Sequence, residues 1–301
     1  MAEVLTVWRF VDGKPGHENQ SAGLVRALAE QTALSVEDIP VKRGWRNWLD
    51  FLLARCPADQ GGMSPGLLIG AGHATHLPML ACKRACGGRV VALMKPSLPV
   101  NWFDLCVIPE HDGVAASKRV LVTRGVLNIV EPKDKPGDAP GLILLGGPSS
   151  EYAWDDVQMH DQVHEIVSDK ARSWLVVGSR RTPGSMIDSL RGEVDGERVQ
   201  VLAQEQTQPG WLASQLGKTS LAWVSEDSVS MVYEVLTAGA ACGLLSVPVK
   251  KRGRVQKGGQ GLLEQGLVTP FNAWARGAAL AAPAKPFDEA ARAAQWVLKH
   301  V

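Results

Sequence analysis

Short apolar runs, each ending in a glycine-rich or polar loop, alternate with stretches of helical periodicity along the whole chain. Residues 4–10 read as a strand, and 19–31 as a helix with Leu24, Val25 and Leu28 on one face. A second strand follows at 36–41, a helix at 45–54, a third strand at 67–70 and a helix at 77–86. Further strands are predicted at 89–93, 103–108 and 119–122. Strands spaced by helices of this length build βαβ units and therefore a parallel sheet. At 131–140 the pattern stops: EPKDKPGDAP holds three prolines and five charges, which is linker chemistry. Beyond it the alternation restarts, with strands at 142–145, 174–177, 199–202, 221–224 and 243–247 and helices near 156–169, 209–216 and 228–238. A last helix, 287–300, places Ala290, Ala293, Ala294 and Val297 on one face. The expected fold class is α/β, with an N-terminal αβ domain over 1–133 and a C-terminal one over 139–286. A cleft between two such halves is the default place for a ligand, because strand carboxyl ends and domain interfaces supply concave surface.

Composition narrows the function classes. Of 301 residues, 45% are hydrophobic and 21% charged, a globular balance. Lysine plus arginine is 32 and aspartate plus glutamate 31, a net charge of +1, so no global field gathers nucleic acid or an anionic membrane, and any basic contact must be local. The cysteines, Cys56, Cys82, Cys86, Cys106 and Cys242, are five and scattered, which predicts free thiols in a reducing compartment rather than a disulfide framework. No leader-like segment and no run of roughly 18 apolar residues is present, so a soluble, cytoplasmic protein is expected.

Several motif fragments fail. GAGHAT, from Gly70, has Thr75 where a dinucleotide fingerprint needs its third glycine, and Lys95 where a ribose-binding carboxylate would stand. Gly217-Lys218-Thr219 precedes a strand instead of following one and cannot form a Walker-type nest. Cys82 and Cys86, and His160 and His164, each share a helix face without further ligands, which is packing or a solvated face rather than a metal site. No metal is expected.

Other motifs survive. DGKPGHENQ (12–20) follows the first strand and runs into a helix whose free N–H groups and positive end would face a ligand. His17 stands at that junction with Asp12, Lys14 and Glu18 close by. It reads either as a helix-capping turn residue or, with Asp12, as a general base, a task that suits histidine's near-neutral pKa. GAGHATH (70–76) supplies Gly72, His73 and His76. KPSLP supplies Lys95 and PEHD supplies His111. Four of the seven histidines thus fall on loops after strands of the first half, which a parallel sheet gathers at one edge, and the acceptor chemistry is placed there.

In the second half, LLGGPSSEYAW offers Gly146, Gly147, Ser149 and Ser150 as backbone and hydroxyl donors for phosphate, and GSRRTP offers Arg180 and Arg181 to neutralise it. SEDSVSMVYE follows a later strand, with Ser225, Glu226 and Asp227, Ser228 as N-cap and Glu234 on the ensuing helix. The acidic pair Glu226–Asp227 equally suits the helix dipole. The run Lys250, Lys251, Arg252, Arg254 and Lys257 reads as a flexible basic loop: a solvated surface, a flap over phosphate or a contact to anionic lipid.

In this order, DGKPGHENQ, GAGHATH, KPSLP with FDLCVIPEHD, LLGGPS, GSRRTP and SEDSVSMVYE resemble the elongated-mitochondria family, named for a plant mitochondrial-fission factor and rich in bacterial members. That family looks like a relative of the GT-B glycosyltransferases. The resemblance implies two Rossmann-like domains facing across a cleft, the final helix packing back on the first domain, a nucleotide-sugar site in the C-terminal half and an acceptor site in the N-terminal half. It implies His17 as the catalytic histidine after the first strand and Glu234 as the helix-borne ribose ligand. The Glu226–Glu234 spacing also matches the paired glutamates of retaining members, so either stereochemistry is open. No cofactor is implied beyond a nucleoside diphosphate sugar as co-substrate. The function expected is metal-independent sugar transfer to an unnamed acceptor, with nucleotide-sugar epimerisation as a close variant. The alternative is a non-catalytic module that recruits a partner or touches the inner membrane peripherally through 250–257.

Overall fold

A computed structural model describes residues 4–56, 64–131, 139–194, 196–208, 210–251, 253–280, 282–284 and 287–301. The chain forms two compact units, Met1–Ile129 with Asp288–Val301, and Val130–Phe287. The fold class is the expected one: each unit is an α/β layer structure around a parallel six-stranded sheet.

In the first unit the strands are β1 (Leu5–Val11), β2 (Leu34–Pro40), β3 (Leu67–Ala71), β4 (Arg89–Leu93), β5 (Leu105–Pro109) and β6 (Val120–Thr123), in the order β2-β1-β3-β4-β5-β6. Strands β3 and β5 are buried along their whole length, which is why they read as unbroken apolar runs. The pleat sends Val7 to one face and Trp8 to the other. On the Val7 side, helices α1 (Pro15–Ala29) and α10 (Glu289–Leu298) cover Ile69 and Val91 with Leu24, Leu28, Ala293, Ala294 and Val297. The alanine face of α10 lies within this unit's core, and Glu289 accepts the Arg124 N–H at 2.9 Å. On the Trp8 side, α3 (His73–Cys86) contributes Met79 and Leu80 to a core with Phe10, Phe103 and Ile108, and α2 (Arg46–Leu52) lies against α3.

The second unit holds β7 (Gly141–Leu145), β8 (Trp174–Gly178), β9 (Val199–Leu202), β10 (Leu221–Ser225), β11 (Ala241–Leu245) and β12 (Thr269–Pro270), ordered β12-β11-β10-β7-β8-β9. Helices α4 (Asp156–Val167) and α5 (Gly184–Glu193) pack Met159, Val163, Ile187 and Leu190 on the Ile143 face, near α9 (Phe271–Trp274). On the Leu142 face lie α6 (Trp211–Leu216), α7 (Val229–Thr237) and α8 (Arg254–Glu264).

Four expectations are corrected. Helix α1 starts at Pro15, not at residue 19, because proline's fixed φ suits a first turn, so His17 is helical. Helix α3 starts at His73, ahead of the expected 77, and tolerates Pro78 inside. The basic run is not a loop throughout: α8 begins at Arg254, and Arg252 lies outside the described residues. Finally, Cys56 and Cys82 are disulfide-bonded, with Cα atoms 4.3 Å apart, because the chain after α2 returns across α3; Cys86, Cys106 and Cys242 are free. The linker read at 131–140 falls mainly on residues 132–138, outside the described residues.

Candidate functional site

The carboxyl edge of the first sheet is built around the β1–α1 turn. Asp12 closes β1, its side chain only 2% exposed, and holds two partners: Oδ1 accepts the Lys14 N–H at 3.2 Å, and Oδ2 lies 2.9 Å from His17 Nδ1. Lys14 Nζ stands 3.9 Å from the same carboxylate. Glu18 reaches back to accept the Gly13 N–H at 2.9 Å, which fixes the turn. The His17 ring is 20% exposed. It lies against Gly72, the residue before α3, whose φ of +83° favours glycine and where a Cβ would collide with the imidazole. A carboxylate on Nδ1 sets the ring's orientation and leaves Nε2 as the proton acceptor. The arrangement can take a proton from a hydroxyl and stabilise the imidazolium that results.

The other candidate residues of this half separate. His73 and His76 are helical, not loop residues; their rings meet edge to face at 5.8 Å. His73 is exposed, whereas His76 is buried against Phe103, with Ser97 Oγ 3.4 Å from Nδ1. Burial, reinforced by His73 and His17, pushes the His76 pKa down to about 4, so this ring is neutral and is a packing element rather than a charge. Lys95 is exposed and ties the β4 loop to the turn after β5, its N–H and Nζ pointing to the Asp112 side chain and carbonyl. His111 lies in that same short turn.

In the second unit the glycine loop after β7 proves to be occupied. Gly146 donates its N–H to Ser225 Oγ at 2.7 Å, and Gly147 donates to Asp227 Oδ2 at 3.0 Å. Asp227, with a fully buried side chain, also pairs with Arg181 at 2.7 Å, and Arg181 Nη1 donates to the Gly147 carbonyl at 2.6 Å. A Cβ at Gly146 would strike the Asp227 carboxylate, so this glycine serves close packing. The expectation that both glycine amides and both arginines point to phosphate is therefore corrected: an internal carboxylate takes the amide of Gly147 and neutralises Arg181. Arg180 and Ser150 are exposed, and the Ser149 hydroxyl oxygen accepts the N–H groups of Glu151 and Tyr152. Ser228 is buried at the N-terminus of α7.

Beside these loops a cavity of about 460 Å³ opens between α7, α8 and the end of β11. Apolar Val229, Val232, Leu244 and Leu263 line it, with Tyr152, Glu226, Gln256, Gln260 and Glu264 as its polar groups. Burial raises the Glu226 carboxyl above its ordinary range, against a weak bond from the Val247 N–H at 3.4 Å. Glu234 does not line this cavity; it is half-buried on α7, and desolvation lifts its carboxyl to about 7. Gln256 and Gln260 carry no sequence signal because α8 has three glycines and a basic start that suggest a loop, and Tyr152 lies in the LLGGPSSEYAW segment with no pattern that marks it. Among the described residues no three His, Cys, Asp or Glu side chains converge as a metal-holding group, and His160 instead meets Glu193 at 3.1 Å.

The family model described as mitochondrial fission ELM1 matches residues 15–301. No curated protein sequence matches the chain. Among solved structures, the UDP-GlcNAc 2-epimerase of Methanocaldococcus jannaschii aligns with a TM-score of 0.58 at 11% identity, over 99% of this chain and 100% of its own. The same enzyme in complex with UDP-GlcNAc and UDP gives 0.53 at 10% identity, over 99% and 100%. A putative UDP-N-acetylglucosamine 2-epimerase from Listeria monocytogenes gives 0.55 at 13% identity, over 99% and 88%. The calicheamicin glycosyltransferase CalG4 gives 0.50 at 13% identity, over 100% and 95%. At these identities the likeness shows the fold, which is that of GT-B glycosyltransferases and epimerases.

Proposed function

The chain belongs to the mitochondrial fission ELM1 family, and we propose that it transfers a sugar from a nucleoside diphosphate donor to a hydroxyl acceptor without a metal ion. The carrying observation is the Asp12–His17 pair, 2.9 Å apart, which joins the end of β1 to the first turn of α1. In this reading the acceptor hydroxyl gives its proton to His17 Nε2 while its oxygen bonds to the anomeric carbon. The bond from that carbon to the diphosphate oxygen breaks, and the diphosphate leaves with the electron pair. Asp12 stabilises the imidazolium. Direct displacement of this kind inverts the anomeric centre. The second unit supplies the donor contacts: the cavity lined by Glu226 and Gln256 for the nucleoside, and Arg180, Ser149, Ser150 and the N-terminus of α7 for the leaving diphosphate. Support comes from fold neighbours that include the glycosyltransferase CalG4 and an epimerase complexed with UDP-GlcNAc and UDP.

Epimerisation of the nucleotide sugar is the second reading, favoured by the higher TM-scores of the 2-epimerases. Incubation of purified protein with UDP-GlcNAc and related nucleotide sugars, followed by NMR of the sugar, separates the two. Transfer releases nucleoside diphosphate in proportion to acceptor, whereas epimerisation produces a new nucleotide sugar with no acceptor at all. His17→Ala is expected to cost about 10²–10⁴-fold in transfer rate with folding intact. Full transfer by this variant would remove the base assignment. Inertness of the native protein toward every donor and acceptor would move the chain to the recruiting-module reading.

A further inference from the structure

Helix α2 reverses the arrangement that holds elsewhere in the first unit. Its apolar residues recur at i, i+3, i+4 and i+7, the spacing of a core-facing stripe. Yet they face solvent: Trp45 is 70% exposed, Trp48 47%, Leu49 43% and Leu52 62%, and Leu53 follows at 56%. No residue of α2 is buried, and the half-buried positions are Asn47, Asp50 and Phe51. The stripe is held in place rather than frayed. Phe51 stacks on Trp102 with ring centroids 5.6 Å apart, Trp48 meets Phe51 edge-on at 6.3 Å, and the Arg84 guanidinium covers Phe51 at 5.1 Å. The Cys56–Cys82 bond ties the following residues to α3. Trp102, itself 38% exposed, extends the apolar surface beyond the helix.

Charge identifies the occupant. Lys42, Arg43, Arg46 and Arg55 are all exposed around the stripe, and Asp50 is the one acidic residue between positions 42 and 56. A second copy docked by two-fold symmetry would set one basic rim against another, which like-charge repulsion opposes. Anionic headgroups complement it, and tryptophan and arginine are the residues that settle at a headgroup boundary. A seven-residue helix is about 10 Å long, far short of a bilayer core, so it would lie in the plane of the surface. We propose that the outward face of α2, with Trp102 and the basic rim, docks the protein on an anionic lipid bilayer. The docking does not depend on the reaction proposed above. It does have a consequence for placement: β1 and β2 run parallel with Val11 opposite Pro40, so the segment leading to α2 leaves the sheet at the edge that carries Asp12 and His17.

The test is flotation of the full chain, without nucleotide, with vesicles of phosphatidylcholine alone or containing one-third phosphatidylglycerol. The native protein should float with the anionic vesicles and not with the neutral ones, and salt should weaken the association. Trp48→Ser with Leu52→Ser, and separately Arg43→Glu with Arg46→Glu, should each lower the bound fraction roughly tenfold at an unchanged melting temperature, since all four side chains are exposed. Absence of binding to anionic vesicles would overturn the proposal. So would binding retained by both variants and lost instead in Lys250→Glu with Lys251→Glu. A dimer in sedimentation velocity that Trp48→Ser with Leu52→Ser dissolves, without any vesicle effect, would assign the face to a second copy and equally overturn it.

Discussion

Two histidines near one sheet edge, His17 and His76, differ in what surrounds the ring rather than in sequence context. His17 keeps a carboxylate on Nδ1 and remains partly open. His76 has Phe103 and His73 for neighbours, and no carboxylate is among the groups acting on it. Its folded pKa of about 4 lies below the 6.5 of an unfolded histidine. The stability this neutral ring contributes is therefore fully present above pH 6.5 and is lost as pH falls through about 4. His76→Phe should flatten that part of the acid limb: the drop in melting temperature between pH 7 and pH 4 becomes smaller than in the native protein. Proton NMR gives a direct check, with the His76 ring signals moving only near pH 4. A midpoint above pH 6 would mean the ring is open to water. The sequence brought Asp12 and His17 into view because both sit in a short turn between a strand and a helix. It could not separate His76 from His17, because the burial of His76 against Phe103 joins residues distant along the chain.

At the scale of elements, strands were easier to read than helices. Buried parallel strands are continuous apolar runs, and β4 and β9 fall where the pattern placed them. Helix α8 was hidden because Gly258, Gly259 and Gly261 lower its propensity and its burial rests mainly on Leu262 near its end. The glycine loop after β7 misleads for another reason: no local pattern shows that Asp227, some eighty residues on, already fills it. Helix α7 carries the most informative perturbed group. Glu234 is lifted to about 7 by desolvation, so its neutral form is the one folding favours. Its contribution is most favourable below the ordinary carboxyl pKa of 4.5 and is lost as pH rises through about 7. Glu234→Gln, neutral at every pH, should therefore melt higher than the native protein at pH 8 and lose that advantage at pH 4. Equal melting temperatures at pH 8 would show that water or an ion solvates the carboxylate.

At the scale of the whole molecule, the division into two units makes nucleotide binding separable from the proposed base chemistry. A ligand that binds only the folded second unit at a hundred times its dissociation constant stabilises it by about 2.7 kcal/mol. For a unit of about this size that is a melting shift of a few degrees. Calorimetry with UDP, GDP, CDP, ADP and dTDP in the presence of a chelator should thus show one nucleotide raising the transition of the unit that holds the cavity. His17→Ala, in the other unit, should leave this shift intact. The two carboxylates of the second unit then compete on equal terms. If the nucleoside enters the cavity between α7 and α8, Glu226→Gln reduces the shift, because Glu226 lines that cavity and Glu234 does not. If the ribose is held as the family resemblance implies, Glu234→Gln reduces it instead, and the cavity is a packing void. Loss of the shift on adding the chelator would replace the metal-free mechanism with a metal-assisted one. A transition unmoved by every nucleotide at millimolar concentration would remove the donor site, and with it the transferase reading.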